Sequence, residues 1–127
     1  MKKILAPILI LALLTACAPA TEPIPADSGI EGQALLGPMC PVVREGEDCP
    51  DQPYQAHFVV LRADGREVTR FDTDEQGRFK VNLPAGEYVL HPENPNGATL
   101  PYAADVTFTI TAHEFTNIIV TFDSGIR

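Results

Sequence analysis

Three cysteines, three histidines and a scatter of carboxylates are the residues of this 127-residue chain that could do chemistry. Cys40 and Cys49 flank a charged loop, "MCPVVREGEDCPDQPY" at residues 39–54, with a proline after each. Such a pair can clip a metal, cycle between thiol and disulfide, or staple the chain. A structural zinc takes about four ligands, and neither a CxxC nor an HxxxH spacing occurs. A redox dithiol commonly sits as CxxC at a helix start, whereas eight residues separate these two. "DTDEQG", Asp72 to Gly77, has side-chain oxygens at its first, third and fifth positions and glycine at its sixth. A calcium loop begins so, but its twelfth position carries a bidentate Glu and here is Leu83. A structural turn is the plainer reading, with weak calcium binding by Asp72 and Asp74 as the alternative. Ser28 and Ser124 are the only serines, and neither lies in a G-x-S-x-G nucleophile setting.

The N-terminal segment bears on the cysteines because it sets their compartment. "MKKILAPILILALLTAC" begins with two lysines, followed by an apolar run from Ile4 to Leu14 broken by Pro7. That is the plan of a secretory signal, and the run is too short for the roughly 20 helical residues that cross a bilayer. A retained N-terminal anchor is the alternative. Leu14-Thr15-Ala16-Cys17 resembles the bacterial lipobox, and the resemblance implies a signal peptide of residues 1–16 and a Cys17 acylated with chains such as palmitate. Two acyl chains hold a protein to a membrane where one gives marginal binding. Ala18 in place of Asp after that cysteine implies, by resemblance to enterobacterial lipoproteins, the outer membrane. Without residues 1–16 the chain keeps 111 residues with seven basic and 17 acidic side chains, a formal charge of −10. So acidic a chain is unsuited to nucleic acid or anionic headgroups, and its size fits one domain.

With Cys17 acylated and the chain exported, Cys40 and Cys49 remain as an even pair where disulfides persist. The expectation is a Cys40–Cys49 staple closing a ten-residue loop, worth about 2–3 kcal/mol in the chain-entropy account. Residues 17–28, containing "APATEPIPADS" with three prolines, read as a tether reaching roughly 30 Å at about 3.1 Å per residue, or as a disordered N-terminus of the same reach.

From Gly29 the apolar period is two. "GIEGQALLG" predicts a first strand, and "YQAHFVVLRA" a second that is central because Phe58 to Leu61 is apolar on both faces. "ADGREV" supplies a hairpin turn into "EVTRFDT". "RFKVNLP", "EYVLHP", "DVTFTIT" and "EFTNIIVTF" follow, with a proline-rich loop, "ENPNGATLPYAA", after the fifth strand. Seven strands separated by turn signals predict an all-β, seven-stranded antiparallel sandwich over residues 29–127.

"TDEQGRFKVNLPAGEYVLHP", Thr73 to Pro92, resembles the carboxypeptidase regulatory-like domain, a transthyretin-like (prealbumin-like) sandwich akin to immunoglobulin folds. The resemblance is carried by Thr73, Asp74, Gly77, Phe79, Leu83, Pro84, Gly86, Tyr88 and Leu90. It implies a fold and no site: Asp74 and Gly77 suit a turn, Phe79 and Leu83 a core, and Tyr88 a packed ring whose hydroxyl meets a backbone partner. The C-terminal Tyr-Arg-Gly-Ser of the hydroxyisourate hydrolase branch is missing; the chain ends "FDSGIR".

The functional expectation is therefore a non-enzymatic envelope lipoprotein, a protein-interaction or structural module. No cofactor or metal is implied. The membrane is met through the lipid, and the candidate partner contact is the stapled loop with Arg44, Glu45, Glu47 and Asp48, since preorganisation lowers the ordering cost of binding. In its extreme form Arg44 would be a protease-inhibitor residue; the plain alternative is a long polar loop that needs a staple. The second functional class is small-ligand binding: calcium at Asp72 and Asp74, or a sugar stacked on Tyr54 or Tyr102, in a chain without tryptophan. His57 and His113 could each pair with a carboxylate. Lys80, the only lysine beyond the signal segment, alternates outward and so is unsuited to an isopeptide crosslink.

Overall fold

The structure, a computed structural model, describes residues 23–42, 44–94 and 96–127. The expected signal peptide, Cys17 and the first part of the tether lie outside the described residues. Eight strands follow one another: β1 (Gly29–Gly37), β2 (Gln52–Pro53), β3 (His57–Arg62), β4 (Glu67–Asp72), β5 (Arg78–Asn82), β6 (Gly86–Glu93), β7 (Val106–Ile110) and β8 (Phe115–Asp123). No helix occurs among the described residues. The eighth strand relative to expectation is the two-residue β2, which pairs with Leu35 and Leu36 as the chain leaves the cysteine loop.

One sheet is β4-β3-β6-β7, antiparallel throughout. The other is built on β1. One edge of β1 is shared by β5 and β2, both antiparallel; the other is covered along its whole length by β8, Gly29 against Phe115 through Gly37 against Asp123. This last pair is parallel, a departure from the expected all-antiparallel sandwich. Parallel neighbours need a long crossover, and here the chain builds the opposite sheet between β1 and β8.

Alternation puts Ile30, Ala34, Phe79, Ile118, Val120 and Phe122 of the β1 sheet against Phe58, Val60, Tyr88, Leu90, Phe108 and Ile110 of the other. Phe58 meets Phe71, Phe79 and Phe122 at ring-centroid distances of 5.4, 5.7 and 5.9 Å, within the 4.5–7 Å at which aromatic pairs attract. Tyr88 lies alongside Phe108, and its hydroxyl donates to the Pro84 carbonyl at 2.7 Å.

The β3–β4 turn is a three-residue loop, 63–65, in which Gly65 alone takes positive φ, rather than a tight Asp-Gly turn. The ladder then slips by one residue between Val60 and Leu61. Asp74 closes the β4–β5 turn: its Oδ1 accepts the amides of Gln76 and Arg78, each at 2.8 Å.

Candidate functional site

Strand direction divides the sandwich into two poles. β1 and β8 start at one pole, where Ser28 Oγ donates to the Leu83 carbonyl at 2.7 Å and the Gly29 amide to Glu114 at 3.2 Å. They end at the other, where Ser124 N donates to the Gly37 carbonyl at 2.9 Å. Residues 38–56, the 73–77 turn, the 94–105 loop and the last residues all gather at this second pole. Nine residues of β1, about 30 Å of strand, separate it from the pole at which the N-terminal segment joins.

Cys40 and Cys49 are disulfide-bonded, with their Cα atoms 6.2 Å apart. Arg44, Glu45, Glu47 and Asp48 are all exposed. Glu47 N donates to the Arg44 carbonyl at 2.9 Å, making residues 44–47 a tight turn at the tip. Three carboxylates thus stand in solvent beside one guanidinium, with no ion pair among these four described residues. The loop's stem is fixed from outside: Ser124 Oγ donates to the Pro38 carbonyl.

The histidines share one feature. Each holds Nδ1 within reach of an aspartate: His57–Asp72 at 2.6 Å, His91–Asp105 at 2.6 Å and His113–Asp27 at 2.5 Å. The first two lie at the second pole, on the outer face of the β4-β3-β6-β7 sheet. Arg70 joins them there, bound to Glu67 and at 3.1 Å to Glu93. The pairing follows from the ladder, in which His57 stands between Asp72 and Glu93, and Val59 between Arg70 and His91. The third pair ties the N-terminal segment to the β7–β8 turn at the first pole. The carboxylate of Asp27 raises the His113 pKa above its ordinary value, and the imidazole lowers that of Asp27.

Beside His91 and Asp105 lies a cleft of 520 Å³, a volume in the range of ligand sites. Glu93, Asn94, Pro101 and Tyr102 complete its lining together with Phe122 and neighbouring backbone. Asn94 Nδ2 donates to the carbonyls of Ala98 and Pro101 at 2.8 and 2.9 Å, which folds the 94–105 loop over the end of the sandwich. Tyr102 is held by backbone hydrogen bonds to Asp123 in both directions, and the residue is 59% exposed. Asp123 is in turn gripped by Arg127, whose guanidinium, with the Gly125 amide, lowers its pKa to about 2.

The remaining sequence candidates are placed elsewhere. Asp72 is engaged by His57 and Asp74 by its own turn, so the two carboxylates of the calcium reading are separately occupied. Tyr54 is not an open platform: its ring packs on Phe122 at 4.8 Å. Ser28 is buried against Leu83. Lys80 is exposed with Nζ 4.3 Å from the centre of the Phe115 ring, a cation–π distance. Sequence reasoning missed the His91–Asp105 pair and the cleft. The usable signal was parity, since His91 alternates with the inward Leu90 on a strand flanked by Asp105.

No protein-family model and no curated protein matches the chain. Among solved structures, it is similar to one titled "The Bacillus anthracis TIE protein", with 25% identity and a TM-score of 0.49. That match covers 75% of this chain and 18% of the other, so the chain spans under a fifth of that protein's length.

Proposed function

We propose that this chain is a non-enzymatic, lipid-anchored envelope module that docks a protein partner through the pole opposite its tether. The observation that carries the reading is the polarity of β1. The N-terminal segment joins at Ser28, and the stapled loop leaves at Gly37. A lipid on Cys17 would therefore turn the acidic loop away from the membrane, with residues 17–28 as the spacer.

The surface at that pole supports docking. Of five large apolar side chains exposed among the described residues, Val42, Leu100 and Tyr102 belong to its loops. Exposed apolar groups ringed by charge are the composition of interaction patches. Glu45, Glu47 and Asp48 favour a partner with a basic surface, which they would steer and align. The lipobox and Ala18 support an outer-membrane address. The Thr73–Pro92 motif supports placing the sandwich with carboxypeptidase regulatory-like domains.

The test is crosslinking in the native cells followed by detergent extraction. A single enriched envelope protein, lost when residues 44–48 are replaced by Gly-Ser, supports docking; recovery of the chain alone overturns it. Cys17→Ser should release the protein from membranes and remove the acyl mass. A variant that stays membrane-bound at unchanged mass overturns the anchor.

A further inference from the structure

From the cleft beside the 94–105 loop we infer a binding site for a neutral saccharide. The polar side chains lining the cleft are partly engaged with one another and partly open. Asp105 holds His91 Nδ1 at 2.6 Å, leaving Nε2 for a ligand. Both Asn94 amide hydrogens are taken by the Ala98 and Pro101 carbonyls, so its Oδ1 is left to accept. Glu93 gives one oxygen, Oε2, to Arg70 at 3.1 Å and keeps Oε1. With a neutral His91 that donates from Nδ1, the residues lining the cleft thus carry three open acceptors, Nε2, Asn94 Oδ1 and Glu93 Oε1, and the Tyr102 hydroxyl as a mixed donor and acceptor.

Acceptors of this kind suit a ligand rich in O–H donors. They disfavour phosphates and carboxylates, which would meet Glu93 and Asp105. A cationic ligand is the rival: Arg70 is divided between Glu67 and Glu93, and a neutral His91 leaves the Asp105 charge in place. What favours the saccharide is the aromatic surface of Tyr102 set beside several open acceptors, which a lone cation would leave unused. Tyr102 adds an exposed ring on a backbone pinned to Asp123 from both directions. The ring is an amphipathic surface on which the C–H face of a pyranose can stack. The 520 Å³ volume leaves room for more than one sugar ring. The cleft shares Tyr102 with the docking pole but no residue of the stapled loop lines it, so replacing residues 44–48 tests docking without altering the cleft.

The experiment is calorimetric titration of the full chain in detergent with cellobiose and with N,N′-diacetylchitobiose, each to about 10 mM, a range that detects millimolar affinity. The expected result is saturable binding of at least one disaccharide, weakened about fivefold to tenfold by Tyr102→Ala and less by Tyr102→Phe, which keeps the stacking ring and loses only the hydroxyl. Glu93→Gln should weaken it while the thermal midpoint stays near that of the parent. No saturable heat with either disaccharide overturns the inference, as does binding indifferent to Tyr102→Ala. Binding of a Gly-Arg-Gly peptide in the absence of disaccharide binding overturns it in favour of a cationic ligand.

Discussion

Thr73 Oγ1 accepts the backbone amide of Ala56 at 2.9 Å, while the Thr73 amide donates to the Ala56 carbonyl at the same distance. One buried side chain thereby fastens the start of β3 to the end of β4, at the corner where the chain passes from one sheet to the other.

Thr73→Val keeps the shape and removes the acceptor, leaving the Ala56 amide buried without a partner. The expected loss is about 1–3 kcal/mol, read as a lower urea midpoint at unchanged slope. Thr73→Ser, which keeps the hydroxyl, should recover most of it. Equal midpoints for the valine and serine variants would show that the hydroxyl does not matter.

Gly77 follows in the same turn at φ +73°, and a Cβ there would come within 2.3 Å of the Ala34 carbonyl oxygen. Ala34 N donates to the Gly77 carbonyl at 2.7 Å, so the two backbones cannot part without losing that bond. Gly65 also has positive φ, +90°, but open space around it. Gly65→Ala should cost about 1–2 kcal/mol for the left-handed conformation alone. Gly77→Ala should cost more, because the clash adds to it. Comparable melting temperatures for the two variants would rule out the steric part of the argument.

These two residues also mark what the sequence makes legible. The TDxxG segment and the period-two runs give the strands, the turn and the inward set, because alternation of Phe79, Val81, Ile118, Val120 and Phe122 has one buried solution. Strand direction is another matter. The alternating residues of β8 would face the core whether it ran parallel or antiparallel to β1, so periodicity is silent on the choice.

The His57–Asp72 pair was hidden by a single residue. Counted back without a slip from the Arg62–Arg66 closure of the hairpin, His57 would stand opposite Phe71. The slip between Val60 and Leu61 moves it to Asp72. The cleft was hidden for a different reason: the 94–105 loop has no period, and its course is set by Asn94 and by the Tyr102–Asp123 bridge.

The His113–Asp27 pair makes a pH prediction at the tether pole. The folded-state pKa of His113 is raised, so its contribution is complete below the unfolded value of about 6.5 and is lost as pH rises through the folded value. That of Asp27 is lowered, so its contribution is present above about 3.8 and is lost as pH falls through the folded value. The difference in stability between the parent and Asp27→Asn should therefore be greatest near about pH 5 and vanish in mildly alkaline buffer. Both groups are exposed, so the difference should be small and shrink with added salt. The imidazole resonances of His113 should titrate at lower pH in Asp27→Asn; an unchanged titration would mean the pair does not form in solution.

The disulfide supplies the last prediction because it separates stability from recognition. Cys40 and Cys49 close ten residues of chain, and the double change to serine should cost about 2–3 kcal/mol by releasing the unfolded ensemble. The folded sandwich should persist, because the loop's stem has its own anchors: β2 on Leu35 and Leu36, Ser124 on Gly37, and Tyr54 N on the Ala34 carbonyl at 3.0 Å. A docking loop loses more than stability. Its tip must then be ordered on each encounter, so partner affinity should fall even at temperatures where the double variant is fully folded. The check is partner binding measured well below the melting temperature of both proteins. Weaker binding by the folded variant supports a preorganised contact. Unchanged binding with lowered melting temperature would leave the staple a purely structural part.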